Sequence, residues 1–172
     1  VVITIPRFDR PEFEEAAIEA VRATAEDVPI LLDLRGNGGG SSPEELLATI
    51  MNRAYRGSIY ITPTSVAEDA ARAHYDGIEP QLPAWMFRSG PEMVQPEADA
   101  WGGRIAVLVD AGCGSACEDF VMRFKEARRG PVLDEPTNGS TGQPYIVDLP
   151  EFGMNFRVST KREYFPDGRQ FE

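Results

Sequence analysis

Two short runs, Ile30-Leu31-Leu32-Asp33-Leu34 and Ile105-Ala106-Val107-Leu108-Val109, constrain this chain more than anything else in it. A strand without polar alternation offers no face to water, so both runs read as strands buried on both faces, the pattern of a parallel sheet. Each runs directly into glycines and then into a helix start. The first passes through Arg35-Gly36-Asn37-Gly38-Gly39-Gly40-Ser41 to Ser42-Pro43-Glu44-Glu45, where Ser42 and Glu45 form a capping box and Pro43 takes the first helical position. The second passes through Asp110-Ala111-Gly112-Cys113-Gly114 to a helix expected over about Ser115–Ala127. Val1–Ile5 and Pro131-Val132-Leu133 read as further strands. Asp9 is placed to cap an intervening helix with Pro11 in its first turn and Phe13, Ala17 and Val21 on one apolar stripe. Strands alternating with helices predict an α/β fold.

The rest of the chain is less regular. Gly57 is expected to end the second helix, Ile59-Tyr60-Ile61 to form a strand, and Phe156–Thr160 another, between turns at Asn138-Gly139 and Pro166-Asp167-Gly168. From about Thr62 to Gly103 the chain is punctuated by Pro80, Pro83, Pro91 and Pro96. Val66–Tyr75 reads as a helix there, and Trp85-Met86-Phe87 as an aromatic cluster on a lid, a binding loop or an ordinary excursion packed on the core.

Composition narrows the function. The 172 residues carry 17 basic and 28 acidic side chains, a formal net charge of −11, which disfavours a nucleic-acid partner. One histidine excludes a multi-histidine metal site, and two cysteines exclude a disulfide scaffold. No apolar run approaches the ~20 residues of a membrane span. No metal or other cofactor is expected. The cations are arginines except for Lys125 and Lys161. A strand at the first residues and no polar tail lead to the expectation that residues 1–172 are a core segment of a longer polypeptide.

The sharpest candidate is Gly114-Ser115-Ala116-Cys117-Glu118. A serine on the first helical turn after a buried strand is held at a sheet end, where free amides and the helix dipole favour negative charge. The Ala116 N–H is a natural oxyanion donor. Equally, Ser115 can be a plain N-cap with Glu118 completing a capping box. Cys113 and Cys117 read as small apolar core residues, against a thiol nucleophile or metal pair. The Arg35–Gly40 loop lacks the lysine and spacing of a phosphate or dinucleotide loop, which leaves an amide aimed at an oxyanion, or a turn.

Taken together, these segments resemble peptidase family S41, the tail-specific or C-terminal processing serine proteases. Leu32-Asp33-Leu34-Arg35-Gly36-Asn37-Gly38-Gly39-Gly40 is similar to that family's L-D-L-R-G-N-x-G-G segment, and Ser115-Ala116-Cys117-Glu118 to its S-A-S-E segment, with Cys117 replacing the second serine. Glu135-Pro136-Thr137-Asn138-Gly139-Ser140-Thr141-Gly142-Gln143 resembles G-E-x-T-x-G-K, and Tyr164-Phe165-Pro166-Asp167-Gly168-Arg169 resembles Y-x-P-x-G-R. The resemblance implies an α/β core of the ClpP/crotonase type. It also implies Ser115 as nucleophile, an oxyanion hole from the N–H groups of Ala116 and Gly39, a peptide or protein substrate, and an extracytoplasmic or secreted bacterial location. None of the residues resembles the PDZ module that many members carry.

The resemblance breaks at the general base. Tail-specific members use a lysine where this chain has Ser140. Lys125 lies ten residues along the helix from Ser115, about 15 Å of rise, beyond proton-transfer reach. Lys161 falls in a late strand. The tricorn-like branch instead uses a histidine from before this core and an acidic residue near its end, a place that Glu172 matches. The base is therefore expected upstream of Val1, with His74 and Lys161 as other candidates, and the segment alone is expected to be nearly inactive. Two alternatives stand beside the peptidase: a non-catalytic ligand- or peptide-binding module on the same fold, its cleft lined by the Trp85–Phe87 loop, and an acyl-CoA enzyme of the crotonase type.

Overall fold

In the computed structural model the described residues are 1–63 and 86–170. Four parallel strands carry the centre, in the order β1 (Val2–Thr4), β2 (Ile30–Asp33), β7 (Ile105–Val109) and β8 (Val132–Asp134). Helix α1 (Pro11–Arg22) joins β1 to β2, and helix α3 (Ala116–Glu126) joins β7 to β8. Between β2 and β7 the described residues form α2 (Glu44–Ile50) and four short strands, β3 (Tyr55–Arg56), β4 (Ile59–Pro63), β5 (Met86–Arg88) and β6 (Met93–Val94).

The two apolar runs are the inner strands of this sheet, as their patterning predicts. Their burial nevertheless alternates. Ile30, Leu32, Val107 and Val109 are buried, whereas Leu31, Ala106 and Leu108 are only half-buried, so the second face is covered in part. The core gathers these residues with Val21, Leu46, Leu47, Ile50, Phe120 and Phe124. Each such side chain taken fully from water contributes about 1.5–3 kcal/mol, which is what holds helices of seven to twelve residues in place.

Helix starts differ from expectation. Arg10, not Asp9, is the N-cap residue of α1, without a side-chain cap, because Asp9 turns back to pair with Arg7. At α2 the cap position falls on Pro43; the Glu44 N–H goes to the Ser42 carbonyl, and the Ser42–Glu45 box does not form. That helix stops at Ile50, well before Gly57, since Tyr55–Arg56 is drawn off to pair with β6.

After β8 come the antiparallel hairpin β9 (Pro144–Leu149) and β10 (Met154–Ser159), then β11 (Arg162–Tyr164), which pairs with β4 in a sheet of order β11-β4-β5. The late strand expected over Phe156–Thr160 is β10, and its partner β9 was not legible. The helix expected over Val66–Tyr75 lies outside the described residues.

Candidate active site

The carboxyl ends of β2 and β7 are neighbours in the sheet, so the loops that leave them meet. Asp110 ties the two together: its Oδ1 accepts the Gly36 N–H at 2.8 Å and the Gly112 N–H at 2.9 Å. Asn37, fully buried, does the same from the other side. Its Nδ2 donates to the Ile5 carbonyl at 2.9 Å, its Oδ1 accepts the Gly39 N–H at 2.9 Å, and its carbonyl accepts the Gly114 N–H at 3.0 Å. Arg35 and Asp33 form a two-pronged pair at 2.9 and 2.7 Å, and that guanidinium holds the Asp33 carboxyl below the usual carboxylate range.

Ser115 sits where these loops converge, with φ +53° and ψ −122°. A side chain at positive φ costs about 1–3 kcal/mol and persists only when its surroundings over-determine it. Here they do. Its own N–H donates to Glu118 Oε2 at 3.0 Å, and the Ser115–Glu118 capping box is in place. Glu118 is fully buried, and its carboxylate also accepts the Gly139 N–H at 2.6 Å and the Ser140 N–H at 2.8 Å, while the Asn138 N–H bonds the Cys113 carbonyl at 2.9 Å. The loop after β8 is thus bolted to the serine turn. Gly39 (φ +95°) packs so closely behind it that a Cβ there would lie 2.6 Å from the Gly114 carbonyl oxygen and 2.8 Å from Ser115 Cβ.

Cys113 and Cys117 are joined by a disulfide across the serine turn. This corrects the expectation of two unbonded apolar residues. Both are fully buried in the core as expected, but the turn into α3 brings their sulfur atoms together.

A cleft of about 600 Å³ opens on Ser115. Gly38, Gly139, Ser140, Arg157, Lys161 and Glu163 are among the residues around it. The cleft therefore brings together Ser115, Ser140 and Lys161 from among the candidates. The Gly39 N–H is donated to Asn37 Oδ1, so Gly38 is the residue of that turn exposed to the cleft. The Ala116 N–H is the first of α3 and has no acceptor within the helix. Lys161 Nζ donates to Glu163 Oε1 at 2.6 Å and lies 5.3 Å from the Tyr60 ring centroid, committed as a donor and not presented as a proton acceptor. Lys125 lines a separate hollow with Arg128 and Val132. His74, Trp85 and Glu172 lie outside the described residues, and Phe87, on β5, is half-exposed against Tyr60.

Behind the cleft, Asp119 and Glu163 face one another. Asp119 Oδ1 and Glu163 Oε2 are both buried without a donor, and one shared proton satisfies both. Burial, then the hydrogen bond and charge of Glu163, push the Asp119 carboxyl up to about 8. For Glu163, burial works upward but is outweighed by hydrogen bonds from Asp119 and Lys161, so its carboxyl lies low. Among the described residues no group of three or more His, Cys, Asp or Glu side chains is placed to hold a metal ion, and no helix is long and apolar enough to cross a membrane.

Solved structures share this architecture. A putative peptidase from Parabacteroides merdae superposes with a TM-score of 0.75 at 18% identity, over 99% of this chain and 50% of that one. Mature CPAF complexed with lactacystin superposes at 0.72 and 15% identity, over 99% of this chain and 44% of that one. The photosystem II D1 C-terminal processing protease superposes at 0.61 and 21% identity, over 98% of this chain and 38% of that one. The chain thus spans half or less of the length of these proteins, and at such identities the likeness shows the fold. No curated protein sequence matches it. The model of peptidase family S41 matches residues 1–172, and the chain belongs to that family.

Proposed function

We propose that this core belongs to a serine endopeptidase that cuts exposed peptide tails or unfolded segments. Ser115 Oγ attacks the scissile carbonyl carbon, and its proton passes to a general base. Collapse of the tetrahedral intermediate breaks the C–N bond, the amine leaves with that proton, and water then hydrolyses the acyl-serine ester. The oxyanion is received by the Ala116 N–H and by an N–H of the Gly38–Gly39 turn. Gly38 opens to the cleft, whereas the Gly39 N–H would first have to leave Asn37 Oδ1. The observation that carries this reading is the backbone of Ser115, held at φ +53° by a buried carboxylate with its side chain on an open cleft. A serine needed only as a cap requires no such strain.

The base in this reading is a histidine from outside the segment, with Glu172 as its acidic partner, because Lys161 is engaged by Glu163. Ser140, within 3.5 Å of Glu118 Oε2, supports the serine turn from the opposite wall. The Cys113–Cys117 disulfide favours an oxidising, extracytoplasmic location. A fluorophosphonate probe applied to the full-length protein tests the proposal. Labelling that disappears in Ser115→Ala is expected; absent labelling, or labelling that survives the substitution, overturns it. The engaged Gly39 N–H and Lys161 Nζ favour a second reading, a binding module on the same fold, which predicts peptide affinity without hydrolysis.

A further inference from the structure

We propose that the cleft beside Ser115 contains a subsite for a carboxylate side chain, selecting substrates with Asp or Glu near the bond to be cut. This rests on the peptidase reading of Ser115 and deepens it. The observation is an inversion of charge. The chain as a whole carries 28 acidic against 17 basic residues, yet the charged residues around this cleft are Arg157, Lys161 and Arg162 against Glu163 alone.

Pairing concentrates the inversion further. Lys161 and Glu163 neutralise each other at 2.6 Å, and the neighbouring Asp119 carboxyl stays largely protonated at neutral pH. Among the side chains that line the cleft, the charge left over is that of two arginines, while the buried Glu118 carboxylate beneath it is taken up by the Ser115, Gly139 and Ser140 N–H groups. Both arginines are exposed, and among the described residues neither has a carboxylate partner. Their placement follows from the strands. On β10, Arg157 and Ser159 are two residues apart and share a face, and both line the cleft; Pro144, opposite Ser159 on β9, lines it too. Arg162 then opens β11, just beyond the Lys161 turn. Arg157 and Arg162 both line the cleft together with Ser159, Ser140 and Ser115, and planar guanidinium forks with neighbouring hydroxyls suit the bidentate recognition of a carboxylate. An ammonium or a large apolar side chain gains nothing comparable there.

Binding to full-length protein carrying Ser115→Ala separates this from catalysis. Fluorescently labelled peptides that differ only by Glu or Gln are compared by anisotropy, each with a free and an amidated C-terminus. The Glu peptide is expected to bind about tenfold tighter at low salt, a margin that narrows as salt screens the cleft. The margin is expected to persist on amidation and to vanish in an Arg157→Gln/Arg162→Gln variant whose unfolding temperature is unchanged. Equal affinities, a margin that survives the double substitution, or no binding by any peptide overturns the proposal. A margin that follows the C-terminal carboxylate instead of the side chain also overturns it. Fluorophosphonate labelling of the unsubstituted serine protein is read in parallel, so a failed subsite is distinguished from a failed nucleophile.

Discussion

Glu118→Gln is the substitution most informative about how the serine is held. The carboxylate accepts three backbone N–H groups, from Ser115 and Ser140 on Oε2 and from Gly139 on Oε1, in a fully buried setting. Glutamine keeps the volume but has one acceptor oxygen. Its least costly orientation turns the carbonyl toward Ser115 and Ser140 and sets an NH2 against the Gly139 N–H. One buried donor is then orphaned, at about 1–3 kcal/mol, and two bonds lose charge assistance, at about 1 kcal/mol each. The sum is about 4 kcal/mol, or roughly a 10 °C fall in the unfolding temperature of a domain this size. Denaturant unfolding gives the first number. Amide hydrogen exchange gives the location, since Ser115, Gly139 and Ser140 should lose protection before the core strands. Fluorophosphonate labelling of Ser115 should fall with it. A loss below about 1 kcal/mol with those three amides still protected would refute the claim that one carboxylate over-determines the turn.

The remaining perturbations read other parts of the same assembly. Asp119 has its carboxyl raised to about 8 from an unfolded value near 3.8, so the stability it contributes is fully present below pH 4 and is lost as pH rises through about 8. Asp119→Asn should flatten that loss, which otherwise approaches roughly 1 kcal/mol per pH unit, as urea midpoints measured from pH 6 to 9 will show. Gly40→Ala should cost more than about 3 kcal/mol, because a Cβ at φ +138° would sit 2.1 Å from the Asp9 nitrogen; soluble yield and melting temperature report it. Alkylation of denatured, unreduced protein followed by mass measurement should modify neither Cys113 nor Cys117. Opening so short a loop by Cys113→Ala/Cys117→Ala should cost about 2 kcal/mol.

What the sequence reveals and what it hides separate along a physical line. β2 and β7 are legible because burial leaves their apolar runs unbroken, α1 because of its apolar stripe, and the serine because it follows such a strand. Strand β9 is hidden because Tyr145 and Ile146 follow one another on opposite faces and are both exposed, so its hydropathy carries no alternation, whereas β10 alternates Met154, Phe156 and Val158 with polar residues and is legible. Asp9 and Ser42 fail as caps since tertiary and local partners outbid them. Glu118 is visible as a capping residue but not as the anchor of Gly139 and Ser140, which lie 21 and 22 residues away. Asn37 and Asp110 act across 32 and 74 residues, and Arg157 and Arg162 reach the cleft only after two strands have turned back, so no local window contains them.

The serine turn is held almost wholly through main-chain groups: the Asn37 and Cys113 carbonyls and the Gly114, Ser115, Asn138, Gly139 and Ser140 amides. Every residue but proline can supply such groups. A few side chains, those of Asn37, Asp110 and Glu118 and the Cys113–Cys117 disulfide, and the bare α-carbons of Gly39 and Gly40, are therefore fixed, as is Glu163 against Asp119, while Arg157, Ser159 and Arg162 of the later strands make none of these contacts. The cleft wall can thus be re-lined at Arg157, Ser159 and Arg162, one residue at a time, without touching the groups that hold the turn it faces, whereas Glu163 cannot be exchanged so freely.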